Sequence, residues 1–211
     1  MWRRASVRSW RLTDSEPARP GLAHRTDSMI GRSIKWWADE GAFMSVDIAA
    51  DGQEFPIRAN GGDWLSAWYP PSLVPEGTPH GASGFCVTAD GGVVLISQDG
   101  GTRWEWPGGR PEAGETWEDT LRREIWEETC CVVREATLLG FCRSHCLSGP
   151  EEGLVLVRSA WRAEVDVKAW EPRFEVAHRR VVPTADLLSV MTIDAGWEPI
   201  MHRAIREAGL D

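Results

Sequence analysis

GRPEAGETWEDTLRREIWEETCC, residues 109–131, follows Trp106-Pro107-Gly108 and joins a glycine turn to a glutamate-bearing helix. Trp117, Leu121 and Ile125 recur at every fourth position, the stripe of a helix that lies against a core. Thr116 suits the N-cap and Glu118 and Asp119 suit the first turn, so the pattern predicts a helix from about Thr116 to Thr129. Glu124, Glu127 and Glu128 crowd its second half. Like charges three or four residues apart on a helix cost about 0.2–0.5 kcal/mol per pair. The macrodipole favours cations at that end as well. A helix selected for stability alone has better residues available, whereas a divalent cation bound there removes both penalties.

The spacing allows this. Glu124 and Glu128 are related by i,i+4 and Glu124 and Glu127 by i,i+3, so the three carboxylates can converge on one ion. Oxygen-only ligation suits Mg²⁺ or Mn²⁺, and Mg²⁺ takes one or two carboxylates together with waters and substrate phosphates. Glu115 can reach the same region. Gly108, Gly109 and Gly114 let the backbone approach a metal or phosphate closely. Part of the helix's charge has a plainer role: Glu118 with Arg122 and Asp119 with Arg123 are i,i+4 pairs of a solvated face.

The residues resemble the Nudix box, G-x5-E-x7-R-E-U-x-E-E-x-G-U with U aliphatic. Gly109, Glu115, Arg123-Glu124-Ile125 and Glu127-Glu128 fill it in turn, and Cys131 takes the last apolar place. Cys130 departs from it, standing where the pattern has glycine. A glycine at the C′ position supplies a left-handed conformation cheaply, so Cys130 implies lost stability or a shifted helix end, with the ligands intact. The resemblance implies an α+β fold: an α/β/α sandwich with a mixed sheet. It implies a pyrophosphohydrolase that uses Mg²⁺ or Mn²⁺ to hydrolyse a nucleoside diphosphate linked to another moiety. It further implies metal ligation by Glu124, Glu127 and Glu128 with a carbonyl near Gly109. Arg123 would orient the glutamates, and Gly108 and Glu115 would support the loop. The catalytic base is a box glutamate or one from a later loop, where Glu171 and Glu175 are the candidates. The alternative is a Nudix-fold binding or sensing module with little turnover. No tyrosine follows the box and Pro150 lies far beyond it, so neither family marker for dinucleoside polyphosphate or ADP-ribose substrates is met.

Outside this stretch the sequence organises the chain more coarsely. Residues 1–28, rich in Arg, Ser and Pro, read as a disordered tail, and Met29 is an alternative start. Residues 29–79 read as a small N-terminal β subdomain, with strands at Phe43–Ala49 and Gln53–Arg58 around an Ala50-Asp51-Gly52 turn. Gly61-Gly62 and the prolines up to Pro79 then read as turn and linker. This subdomain would serve either homodimerisation or a substrate lid.

Residues 80–211 read as the main domain. A hairpin is expected at Gly84–Ala89 and Val93–Gln98, with strands at Trp104–Trp106, Val132–Cys146, Leu154–Val165 and Ala177–Val182. A closing helix is expected at Glu198–Ala208. Thirteen tryptophans imply heavy aromatic packing, with one or two available to a nucleobase. A net charge of −9 argues against a long nucleic acid as partner. No apolar run is long enough for a membrane span. Five cysteines without a secretion signal read as free thiols of a cytoplasmic protein. Strand alternation sets His145 on the opposite face from Cys142 and Cys146, which fits a zinc site poorly.

Overall fold

The computed structural model describes residues 47–172 and 176–211. Its centre is an eight-stranded mixed sheet in the order β1-β2-β6-β7-β3-β4-β8, with β5 paired to β3. The strands are β1 Glu54–Ala59, β2 Gly62–Tyr69, β3 Thr78–Thr88, β4 Gly92–Ser97, β5 Gly108–Gly109, β6 Cys131–Ser148, β7 Val155–Val167 and β8 His178–Pro183. Only β3 and β7 run parallel, and every other pairing between strands is antiparallel. Three α-helices, α1 Trp117–Thr129, α2 Leu187–Val190 and α3 Glu198–Glu207, and a 3-10 helix at Thr184–Asp186 complete the described chain.

Each face of the sheet buries a separate apolar cluster. On one, Leu121 and Ile125 of α1 pack against Ala82, Cys86, Val94, Val133 and Trp161. On the other, Ile200, Ala204 and Ile205 of α3 meet Trp64, Trp68, Phe85 and Leu95. The sheet is therefore sandwiched between helices, as the resemblance implied. The helix and hairpin expectations in the main domain agree with the structure to within one or two residues at each end, except that β3 begins at Thr78, well before the expected Gly84. Trp104–Trp106 does not form the expected strand. Glu105 makes a single bridge to Ile96, and Pro107, lacking an N–H, cannot extend the ladder.

The N-terminal segment departs further from expectation. The tail at 1–28, Met29 and residues 43–46 of the first expected strand lie outside the described residues. Residues 47–50 are not strand, and Ala50-Asp51-Gly52 is not a hairpin turn. The hairpin joins β1 to β2 through Asn60 at φ 52° and Gly61 at φ 72°, and Ala59 pairs with Gly62. Positive φ at both loop residues is the type I′ turn, whose twist matches that of the flanking strands. Gly62 thus opens a strand and is no linker. That strand pairs with β6 from Asp63↔Ser148 to Tyr69↔Phe141, so residues 54–69 extend the main sheet instead of standing apart from it.

Candidate active site

Helix α1 starts where the sequence places its cap. The Thr116 hydroxyl accepts from the Asp119 amide at 3.2 Å, and the Asp119 carboxylate accepts from the Thr116 amide at 3.0 Å, a reciprocal capping box. The rigid first turn fixes the rotation of α1, and with it the face on which the later glutamates emerge.

Arg123 organises that face. Its guanidinium donates to Glu115 through Nε at 2.7 Å and Nη2 at 3.1 Å, a two-pronged contact. Nη1 donates to Glu124 at 2.9 Å and to Glu127 at 3.3 Å, and Nη2 also donates to the Arg110 carbonyl at 2.8 Å. One cation therefore offsets the repulsion among three carboxylates and ties the glycine loop to the helix. The Arg123 hydrogen bonds, with those from the Glu112 amide and Thr120, hold Glu115 down to about 2, so it is ionised at neutral pH.

The two most buried glutamates meet β5. Glu128 accepts from the Gly108 amide at 2.8 Å and from the Gln98 side chain at 3.4 Å. The Glu124 carboxylate lies directly over the Gly109 Cα, and a methyl group on Gly109 would overlap it. Only glycine leaves room for a carboxylate there, which gives the opening residue of the motif a steric cause. Glu124 and Glu128 thus both sit against the backbone of β5, while Glu124 and Glu127 share Nη1 of Arg123. Among the described residues no three His, Cys, Asp or Glu side chains are gathered tightly enough to hold a metal ion. The donors present are nonetheless all oxygen, which fits a hard divalent cation completed by waters and phosphate.

The helix ends at Cys130, which adopts the left-handed conformation at φ 52° and ψ 34°. Its thiol donates to the Glu171 carbonyl at 3.5 Å, so the β7–β8 loop that carries Glu171 hangs from the end of α1. Glu175 lies outside the described residues. All five cysteines are free thiols.

A family model described as the NUDIX domain matches residues 77–203. The chain belongs to the Nudix family. It is a hydrolase of diphosphate bonds by that membership. A mutant of the Bacillus subtilis pyrophosphohydrolase BsRppH superposes with a TM-score of 0.53 at 15% identity, over 69% of this chain and 90% of that one. A NUDIX hydrolase from Nitrosomonas europaea gives a TM-score of 0.48 at 16% identity, over 64% of this chain and 89% of that one. A MutT NUDIX hydrolase from Burkholderia pseudomallei gives 0.43 at 24% identity, over 62% and 98%. No curated protein shows significant similarity to the chain.

The Nudix site also draws on residues that the motif does not contain. Gln98, at the end of β4, reaches Glu128 across the sheet. His80 of β3, Arg110 of the glycine loop and Arg158 of β7 are close enough to one another for their charges to interact. No local pattern marks these residues, because strand pairing brings them together. Trp64 and Trp68 are buried in the core, and Trp106 is tilted against Phe85 at 4.8 Å. No helix among the described residues is long and apolar enough to cross a membrane.

Proposed function

We propose that this Nudix hydrolase cleaves a nucleoside diphosphate linked to another moiety in a reaction that depends on Mg²⁺ or Mn²⁺. The observation that carries this reading is the pair of buried carboxylates, Glu124 and Glu128, seated on Gly108-Gly109. Buried carboxylates beside one another are costly unless a cation compensates them. Glu124, Glu128 and the Gly109 carbonyl are the proposed ligands. Glu127 is the third, its 3.3 Å contact being the longest that Arg123 makes to a carboxylate. A bound divalent ion supplies charge neutralisation at the phosphates and lowers the pKa of a water that attacks phosphorus.

Around that chemistry Arg123 and Glu115 keep the helix and glycine loop in register. A carboxylate accepts the proton of the attacking water, and Glu171 and Glu175 on the β7–β8 loop are the candidates for this role. The free thiols suit a reducing compartment, and we place the protein in the cytoplasm. The second reading, a module that binds the same ligand with little turnover, draws on the engagement of Glu127 by Arg123.

Phosphate release from a panel of nucleoside diphosphate derivatives, with Mg²⁺ and with Mn²⁺, tests the proposal. Glu124→Gln and Glu128→Gln should each lower kcat at least 100-fold and keep a native circular dichroism spectrum, the scale expected when an electrostatic partner of the transition state is lost. Full activity in both variants would refute the metal assignment. Absence of hydrolysis across the whole panel by the unmodified protein would favour the binding module.

A further inference from the structure

Beside the glutamates lies a cationic group with no role in the reading above. Arg158 of β7 stands opposite Gly81 of β3 on one side and Cys142 of β6 on the other. A methyl group on Gly81 would lie 2.7 Å from Arg158 Nη1 and 2.8 Å from the Gly109 carbonyl oxygen. The guanidinium therefore shares one glycine's open space with the loop that seats Glu124. Among the described residues no hydrogen bond or ion pair engages the side chain of Arg158 or of Arg110. This contrasts with Arg123, whose donors are committed to three carboxylates and a carbonyl.

Burial pulls Arg158 down to about 10, with Arg110 adding to the fall and Cys142 and Glu124 opposing it, so it is still a cation at neutral pH. Burial first, then the charges of Arg158 and Arg110, push His80 to about 4. His80 is thus a neutral imidazole that can donate one hydrogen bond beside two guanidiniums.

Arg158 is half-buried, and taking a cation even partly out of water without a partner has a cost that is recovered when an anion binds. Guanidinium presents paired donors that match phosphate oxygens. We propose that Arg158, with Arg110 and His80, forms the subsite for a terminal phosphate of the substrate, a role that rests on the hydrolase reading. Charge sets the class of ligand. A terminal phosphate carries about −1.5 to −2 at neutral pH, whereas a phosphate esterified or bridged on both sides carries about one charge. Two uncommitted guanidiniums match the former. The preferred substrates are therefore polyphosphates with a free end, such as nucleoside triphosphates, over diphosphates capped by a sugar at both ends.

Binding of inorganic pyrophosphate to the metal-free full chain, followed by calorimetry and by the shift in melting temperature, tests this without turnover. Arg158→Met should weaken binding at least 10-fold and remove most of the pyrophosphate-induced shift. In phosphate-free buffer it should melt no lower than the unmodified protein, because it relieves an unpaired, half-buried charge. A purely structural arginine would instead lower that melting temperature and leave the ligand-induced shift intact. Arg158→Lys should recover part of the affinity, and Arg110→Met, at an exposed position, should lose several-fold. Should Arg158→Met fail to fold, the Lys and Arg110 variants decide in the same assay.

Pyrophosphate affinity unchanged in all three variants overturns the subsite. So does an Arg158→Lys enzyme whose preference for a nucleoside triphosphate over a sugar-capped diphosphate is unaltered. If the unmodified protein binds pyrophosphate through Arg158 and yet hydrolyses nothing, the subsite stands and the hydrolase reading falls.

Discussion

Cys130 is the one motif position that breaks the pattern, and its backbone shows the cost directly. At φ 52° it holds the conformation that glycine adopts freely, at a penalty of about 1–2 kcal/mol for a residue with a Cβ. Part of this is offset by the thiol donating to the Glu171 carbonyl. Cys130→Gly should therefore stabilise the protein by about 1 kcal/mol, read as a higher urea midpoint at unchanged m-value. A lower midpoint would mean that the thiol contact outweighs the strain. At this scale the sequence was informative wherever partners are close along the chain. Gly109, Glu115, Arg123 and Glu124 meet within one loop and helix, so spacing alone brings them together. It was uninformative for Gln98 and Arg158, which reach the same site only through the pairing of distant strands.

Helix α1 has a strong start and an unusual end. Its capping box was readable because all the partners lie within four consecutive residues. Its last turn has no basic residue, although Glu127 and Glu128 sit at the end where the dipole is negative. The missing cation comes from β8. Arg179 Nη1 donates to the Thr129 carbonyl at 2.6 Å and to the Lys168 carbonyl at 3.1 Å, while its guanidinium lies 5.0 Å from the Trp170 ring. Arg179 thus ties the end of the glutamate helix to the β7–β8 loop. Arg179→Met keeps the apolar stem and removes the charge and both hydrogen bonds. It should lower stability by about 1.5–3 kcal/mol, the range for hydrogen bonds from a charged group. Amide exchange should rise selectively in residues 126–130. An evenly distributed rise would show that Arg179 has no special hold on this helix end. The β8 contact was not legible because nothing in α1 itself points to it.

The same difficulty, enlarged, explains the N-terminal segment. The turn was expected at Ala50-Asp51-Gly52, whereas the hairpin closes at Asn60-Gly61, and whether it stands alone or joins the sheet depends on the register between β2 and β6, which no local pattern sets. The outcome has a physical consequence for the whole molecule. Trp64 and Trp68 of β2 are buried in the cluster that α3 covers, together with Ile57 and Ala59 of β1. The match to the family model begins only at residue 77, after both strands. A fragment comprising residues 77–211 would leave β6 as an edge from Phe141 to Ser148 and expose the face on which α3 packs. Deleting a single buried Trp side chain costs about 3–5 kcal/mol. Two such losses, with their neighbours, reach the total stability of a typical domain, about 5–15 kcal/mol. The 77–211 fragment should therefore fail to melt cooperatively and should bind a hydrophobic dye, although it contains every motif residue. Residues 47–211 should melt cooperatively. If the shorter fragment folds with a transition close to that of the longer one, the hairpin is an appendage after all, and the core under α3 closes without Trp64 and Trp68.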